Sequence, residues 1–539
     1  MALDLEDPSV PPSVARRVRP GHLMEKRVLV AALVSAVFLA WYSKLLTTWY
    51  PTRSSPQPAG DQQPVQEKPE PVPKTANPSL YPLAEEDIIV IQSQDLEAEI
   101  GASSGAIRQV TLRQFMDGSG KHPLQIVSGL HLFHLQIGEL PISWHPIATS
   151  SSSVTLDGVG SNGDSYHISY ALDSLNPIIE IILHEPTNFL KDIVITSSWT
   201  QGDKLADRYN PLEIMLLVED GAGNQKHKRY IGTTRQEKIV PRGTFLVSLA
   251  ERYFCQSMKP HNGTVEVRLL PSPEGAVVAE SRIHLSEAAQ MSEYTLSLYV
   301  GPRDYFRLKR AGFGQAFPIG MLGQIGLILL SVLSFIAGIT KNYGVAIILF
   351  SGLITCALAP FTLLSFKSMK KMQELKPQID KLTAQHKNDP ARANKEVFAL
   401  YKQHRISPLS GCLPMLLQMP ILIALFQSIS HFVELRGKSF LWIRDLSLPD
   451  RMAQLPLSIP FIGNELNALP IIMAAVMYVQ TRMSQGKMSS DQSNPAAKLM
   501  SGPTMSIVFG LMFYQFPSGL VLYWLMNSLT SLVWYKIAK

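Results

Sequence analysis

The sequence predicts a multi-span α-helical membrane protein, a five-helix core with an N-terminal anchor helix, carrying a large all-β sandwich. Three observations lead there. Hydrophobic residues make up 46% of the 539-residue chain and charged residues only 17%, with the apolar residues gathered in runs near the N-terminus and over the C-terminal part. Between about residues 85 and 300 the pattern changes to strict alternation. A sequence pI near 9.0 and a net charge of +6 favour contact with anionic lipid or nucleic acid.

Residues 1–27 are polar and proline-containing, ahead of the apolar run VLVAALVSAVFLAWY. That run continues through Leu45, Leu46 and Trp49 without a small-residue exit, so an uncleaved anchor is expected over residues 28–50. Arg16, Arg17, Arg19, Lys26 and Arg27 precede it and predict a cytoplasmic N-terminus. Residues 51–84, rich in proline, glutamine and charge, have too little apolar surface for a core and read as a tether.

The alternating segment, 85–300, sets Leu96, Ala98 and Ile100 against Glu97 and Glu99, and Val265, Val267 and Leu269 against Glu266 and Arg268. Tyr294, Leu296, Leu298 and Val300 repeat the pattern, so many short antiparallel strands in a sandwich are expected. His131 and His134 lie three apart, on opposite faces of a strand, and read as structural. Cys255, Cys356 and Cys412 are odd in number and scattered, which implies neither a disulfide framework nor a metal site. No cofactor is expected.

Charge orients the rest. Between residues 367 and 405 ten basic residues face four acidic ones, placing segment 367–406 in the cytoplasm. The anchor carries the β domain outward, so an odd number of spans must separate the two, yet two apolar runs intervene. Run 343–366 joins the basic segment directly. The other, within 301–340 and preceded by RDYFRLKRAGFGQAF, is therefore expected to lie along the outer interface. The remaining spans are expected at 410–431, 467–483, 499–516 and 520–535. They are joined by an outer loop at 432–466, a cytoplasmic loop at 484–498 and a tight FPSG turn, with a cytoplasmic tail at 536–539.

Within 367–406, Met372, Leu375, Ile379 and Leu382 are spaced for one helix, and Ala393, Val397 and Leu400 for another. Asn388, Asp389 and Pro390 supply the turn, N-cap and first-turn proline, giving an antiparallel hairpin. Thirty-nine residues exceed what a linker needs. Lys370, Lys371, Lys376 and Lys381 are candidate docking residues for something acidic, such as ribosomal RNA, a targeting protein or anionic phospholipid.

In the first long span of this C-terminal part, Thr355 lies about 40° and Thr362 about 20° round the helix from Ser351, so three hydroxyls share one face. Gln418, with Met419 beside it, comes from the next span. Tyr523, Asn527, Thr530 and Ser531 form a stripe on the last one. Such residues either line a wet face or pack helices closely.

The stretches SPLSGCLPMLLQMPILIALF, VELRGKSFLWIRDLS, FPSGLVLYW and LYVGPRDY resemble signatures of the YidC/Oxa family of membrane insertases, over about residues 24–535. The order of anchor, β domain, interfacial helix and five-span core resembles that of members with a large periplasmic domain, in the bacterial inner membrane. The resemblance implies an insertase that inserts and folds nascent membrane proteins, alone or with the Sec translocon, and that works with the ribosome. It implies a hydrophilic groove open to cytoplasm and lipid, here lined by Ser351, Thr355, Thr362, Gln418, Met419, Tyr523, Trp524 and Asn527. Thr355 stands where bacterial members typically carry arginine, so this groove is expected to be polar but uncharged. Two other classes fit less well. A channel or transporter would want intramembrane ionisable residues or repeated half-helices, and a membrane-anchored sugar-active enzyme a positioned carboxylate pair.

Overall fold

The computed structural model describes residues 86–538 apart from 118–120, 128–132, 138–141, 161–164, 185–192, 201–211, 220–223, 232–237, 262–263, 271–275, 284–292, 318, 320, 387–388, 405–412, 460–462 and 486–501. The anchor, the tether, His131, Asn388 and nearly all of the expected 484–498 loop lie outside these residues.

The alternating sequence becomes seventeen strands, from Ile88–Gln92 to Glu293–Pro302, joined by antiparallel pairings. The expected inward residues are buried: Leu96, Ala98, Ile100, Val265, Val267, Leu269, Leu296, Leu298 and Val300 all sit in one core with Phe133, Trp199 and Phe254. Strand Glu293–Pro302 departs from simple alternation, because Ser297 and Tyr299 are buried as well. It pairs with Phe254–Pro260 on one side and Ile178–His184 on the other, and its Tyr299 joins a second cluster with Leu308 and Phe313. His134 is half-buried on strand Phe133–Ile137.

Helix α1 (Tyr305–Arg310) leaves the β domain, with Asp304 capping it by accepting from the Arg307 amide at 3.0 Å. Helix α2 (Met321–Thr340) follows. It buries Leu330, Leu333 and Ala337 and leaves Ile328, Phe335 and Ile339 more than 60% exposed on the opposite side. Helix α3 (Tyr343–Gln385) is one rod of 43 residues, so the apolar span and the first arm of the basic hairpin are continuous. At about 65 Å it is about twice the hydrocarbon thickness. Helix α4 (Pro390–Gln403) returns along it, with Asp389 accepting from the Arg392 amide at 3.0 Å and Pro390 in its first turn, the expected cap. Leu375 and Ala393 are buried in the hairpin seam, and His386 meets Glu396 at 3.0 Å near the turn.

Then come α5 (Leu413–Ser430), α6 (Ala468–Gln485), α7 (Gly502–Met512) and α8 (Ser518–Ala538). Among the described residues α2 and α3 are long and apolar enough to cross a membrane by that criterion alone, and shorter apolar stretches lie in α5 and α6. A Cβ on Gly326 of α2 would fall 1.9 Å from Ser428 Oγ and 2.8 Å from the Ala424 carbonyl, so α2 crosses α5 closely there. Beyond the end of α2, Tyr343, the first residue of α3, places its ring 6.0 Å from Phe432, just beyond α5. Along its length α2 buries Leu330, Leu333 and Ala337 in one core with residues of α3 and α5.

The β domain is joined to this helical core by arginines, of which Arg252 is buried. Arg252 donates from Nε to the Ser430 carbonyl at 2.6 Å and from Nη2 to the Ser447 carbonyl at 3.0 Å. Arg307 pairs with Glu434 at 2.7 Å, and Arg436 donates to the Met116 carbonyl at 2.7 Å. Val433 belongs to the β-domain core itself.

Candidate functional site

The hydroxyl face of α3 looks at α8. Ser351, fully buried, donates to the Tyr523 carbonyl at 3.2 Å. Thr355, 3% exposed, has its Oγ1 2.7 Å from the Ser351 carbonyl and 3.0 Å from Asn527 Oδ1. One hydroxyl proton serves only one of them. With the proton on Ser351, the amide of Asn527 satisfies the contact by turning its NH2 to the threonine oxygen. Gln418 of α5 donates to the Tyr523 hydroxyl. Five of the expected residues, Ser351, Thr355, Gln418, Tyr523 and Asn527, thus form one polar cluster where α3, α5 and α8 meet.

The other expected residues stand apart. Thr362 is buried two turns on and donates back to the Leu358 carbonyl at 3.1 Å. Met419 is half-buried beside the apolar core. Trp524 turns away from the cluster, stacking on Phe509, with its indole N–H 3.3 Å from Met477 Sδ. Thr530 and Ser531 bond back to the Met526 and Asn527 carbonyls. In α3, Pro360 lacks the amide that would otherwise bond the Cys356 carbonyl.

Burial along α8 is graded. Residues Leu520 to Leu525 are all buried, Met526 and Asn527 half-buried, Ser528 buried again, and Leu529 and Val533 exposed. The buried end is capped by the segment after α5. Ser518 and Gly519 donate their amides to the Leu448 and Leu446 carbonyls, both at 2.8 Å. Asp450, 3% exposed, accepts from the Leu469 amide at 2.9 Å and from the Trp442 indole at 3.2 Å. Asn467 donates to the Tyr514 carbonyl at 2.7 Å. Sequence reasoning missed this cap, because each bond joins residues far apart in the chain. On the hairpin, Lys370, Lys371 and Lys381 are exposed and Lys376 is half-buried.

A multi-helix membrane protein with a buried polar centre, bearing a large β domain, is the class these features define. The family model described as 60Kd inner membrane protein matches residues 335–538. Over 94% of its length the chain is 27% identical to the membrane protein insertase YidC of Pelobacter propionicus, covering 98% of that relative. It is 39% identical to the membrane protein insertase YidC of Endomicrobium trichonymphae over 45% of each chain. A crystal structure of active YidC insertase with its first transmembrane domain resolved aligns over 84% of this chain and 92% of that one, at 19% identity and a TM-score of 0.38. Nearly the whole chain is thus similar to YidC membrane protein insertases, and residues 335–538 match a family of inner membrane proteins: the chain is a membrane protein insertase.

Proposed function

We propose that the polar cluster of Ser351, Thr355, Gln418, Tyr523 and Asn527 is the floor of a hydrophilic groove, uncharged at Thr355, that opens toward the cytoplasm. The burial gradient along α8 is the observation that carries this reading. Backbone polar groups left without partners in hydrocarbon cost several kcal/mol each, so a wet notch that shortens the apolar path lowers the barrier to insertion without fuel. The capping segment keeps the notch shut on the other side.

The groove reading places 367–406 in the cytoplasm and the β domain with loop 432–466 in the periplasm, α2 lying along the outer interface and five helices crossing. The ten basic residues against four acidic ones between residues 367 and 405 support it. Cysteines introduced at Lys381 and Ala391 will react only with an impermeant reagent on the cytoplasmic side, and one at Ser458 only from outside. Labelling of position 381 from the periplasm contradicts this topology.

The basic hairpin docks acidic partners, the ribosome and anionic phospholipid, and the helical core works alone or beside the Sec translocon. Three exposed lysines on a rigid arm support the docking role. Replacing Lys370, Lys371, Lys376 and Lys381 with Glu will weaken ribosome binding and flatten its dependence on log salt by about three, since each lost phosphate contact removes about 0.7–0.9 from the slope. Unchanged binding at all salt concentrations leaves the hairpin a linker.

A further inference from the structure

The segment that follows α5 carries a two-residue turn with an apolar tip. Phe440 and Ile443 exchange both backbone hydrogen bonds at 2.9 Å, which leaves Leu441 and Trp442 as the turn itself. Leu441 is 75% exposed and Trp442 40%. Leu441 also has a φ of 51°. Tight turns with positive φ at the first central residue usually place Gly, Asn or Asp there, because a larger side chain crowds its own backbone. Here a large apolar side chain occupies that disfavoured conformation and is left bare. Such strain persists where the side chain serves a function.

The neighbours of the turn fix its level in the molecule. Phe440 packs on the first turn of α3 so closely that Gly344 has no room for a side chain. The Leu446 carbonyl accepts from the Gly519 amide at the start of α8, at 2.8 Å. The Trp442 indole donates to Asp450 Oδ2, the oxygen that also takes the Leu469 amide at the start of α6. One segment thus joins the starts of three helices of a membrane bundle, which lie at one surface of the bilayer. Trp442 has its polar edge tied to a buried carboxylate while part of its ring is bare, and such an amphipathic ring suits the headgroup boundary. Lys438 and Arg444 stand exposed on either side of the turn.

We propose that Leu441 and Trp442 insert into the lipid leaflet at which α3, α6 and α8 begin, with Lys438 and Arg444 reaching the lipid phosphates. Long cationic side chains lay their stems on apolar surface and keep their charge at the polar boundary, so the four residues make one amphipathic contact. The contact pins the segment that joins the helix starts to the surface of the bilayer.

The full chain, freed of Cys255, Cys356 and Cys412, tests this in liposomes of anionic and zwitterionic phospholipid. An environment-sensitive fluorophore on a single cysteine at the exposed Ser439 leaves the tip intact. Its emission should be shifted to the blue of the free fluorophore in water. A lipid with a nitroxide near the headgroup should quench it more than one with a nitroxide near the chain end. Leu441→Gly with Trp442→Ser should lose both the shift and the quenching. Circular dichroism of that variant should match the wild type, since Gly suits a φ of 51° and Asp450 keeps the Leu469 amide. Water-like emission without quenching in the wild type, or quenching unchanged in the double variant, overturns the proposal. So does a blue shift that neither lipid quenches, which means that the tip has found protein, a second copy included. Stronger quenching from the chain end also overturns it, since the turn would then lie deep in the hydrocarbon.

Discussion

Arg303→Ala destabilises the protein by about 3–5 kcal/mol, the range for removing one member of a buried ion pair. Arg303 Nη2 donates to Glu213 Oε2 at 2.6 Å, with both side chains under 8% exposed, and its Nη1 donates to the Glu251 carbonyl at 3.2 Å. Arg229 holds the other carboxylate oxygen. Burial pushes the Glu213 carboxyl up, but the charges of Arg303 and Arg229 outweigh it and hold it at about 2. A carboxylate depressed in the folded state contributes stability that is complete above its unfolded value, near 4.5, and lost as pH falls toward 2. That contribution is about 3 kcal/mol. The thermal midpoint of the wild type should therefore drop between pH 5 and pH 3, and the Arg303→Ala variant, lower at neutral pH, should drop less. Equal slopes in the two proteins would mean that Glu213 is not the group titrating. Arg303 lies one residue before the Asp304 that caps α1. Loss of the pair will therefore also loosen the exit of the chain from the β domain toward the helical core.

The second large effect separates function from folding. Thr355→Val, Gln418→Leu, Tyr523→Phe and Asn527→Leu together replace both sides of the polar cluster's side-chain hydrogen bonds with apolar groups of similar size. Removing both partners of a buried hydrogen bond in this way is nearly neutral for stability. Yet a client's polar segment loses the groups that would take the place of water. Each lost hydrogen bond is worth about 1 kcal/mol, so insertion of a client with a polar translocated segment into ATP-free liposomes should fall by about tenfold or more. Insertion of an all-apolar helix should hardly change. If the quadruple variant melts well below the wild type while its folded fraction inserts both clients normally, the cluster is a packing seam.

Much of the fold was legible in the sequence because it is written locally. Strand alternation, the Asp389 cap with Pro390 behind it, and the common face of Ser351 and Thr355 each follow from residues a few positions apart. What that face meets was not legible: Asn527 and the Tyr523 carbonyl lie 172 residues away. The same holds for Arg252, whose acceptors are 178 and 195 residues distant. Trp524 neighbours Tyr523 in sequence but points 100° round the helix, into the aromatic stack with Phe509 and Phe513. Helix α2 is a subtler case. Its composition fits a span, and only the parity of the charge argument favours the interface.

The central claim is that water reaches the polar cluster from the cytoplasm and from nowhere else. The direct measurement uses a chain freed of Cys255, Cys356 and Cys412, with a single cysteine placed at Asn527, in oriented membrane vesicles probed by an impermeant thiol reagent. The groove predicts labelling from the cytoplasmic side, none from the periplasmic side, and protection when a client is arrested during insertion. A cysteine at Asn527 that stays unreactive from both sides, or that reacts from the periplasm, would contradict it.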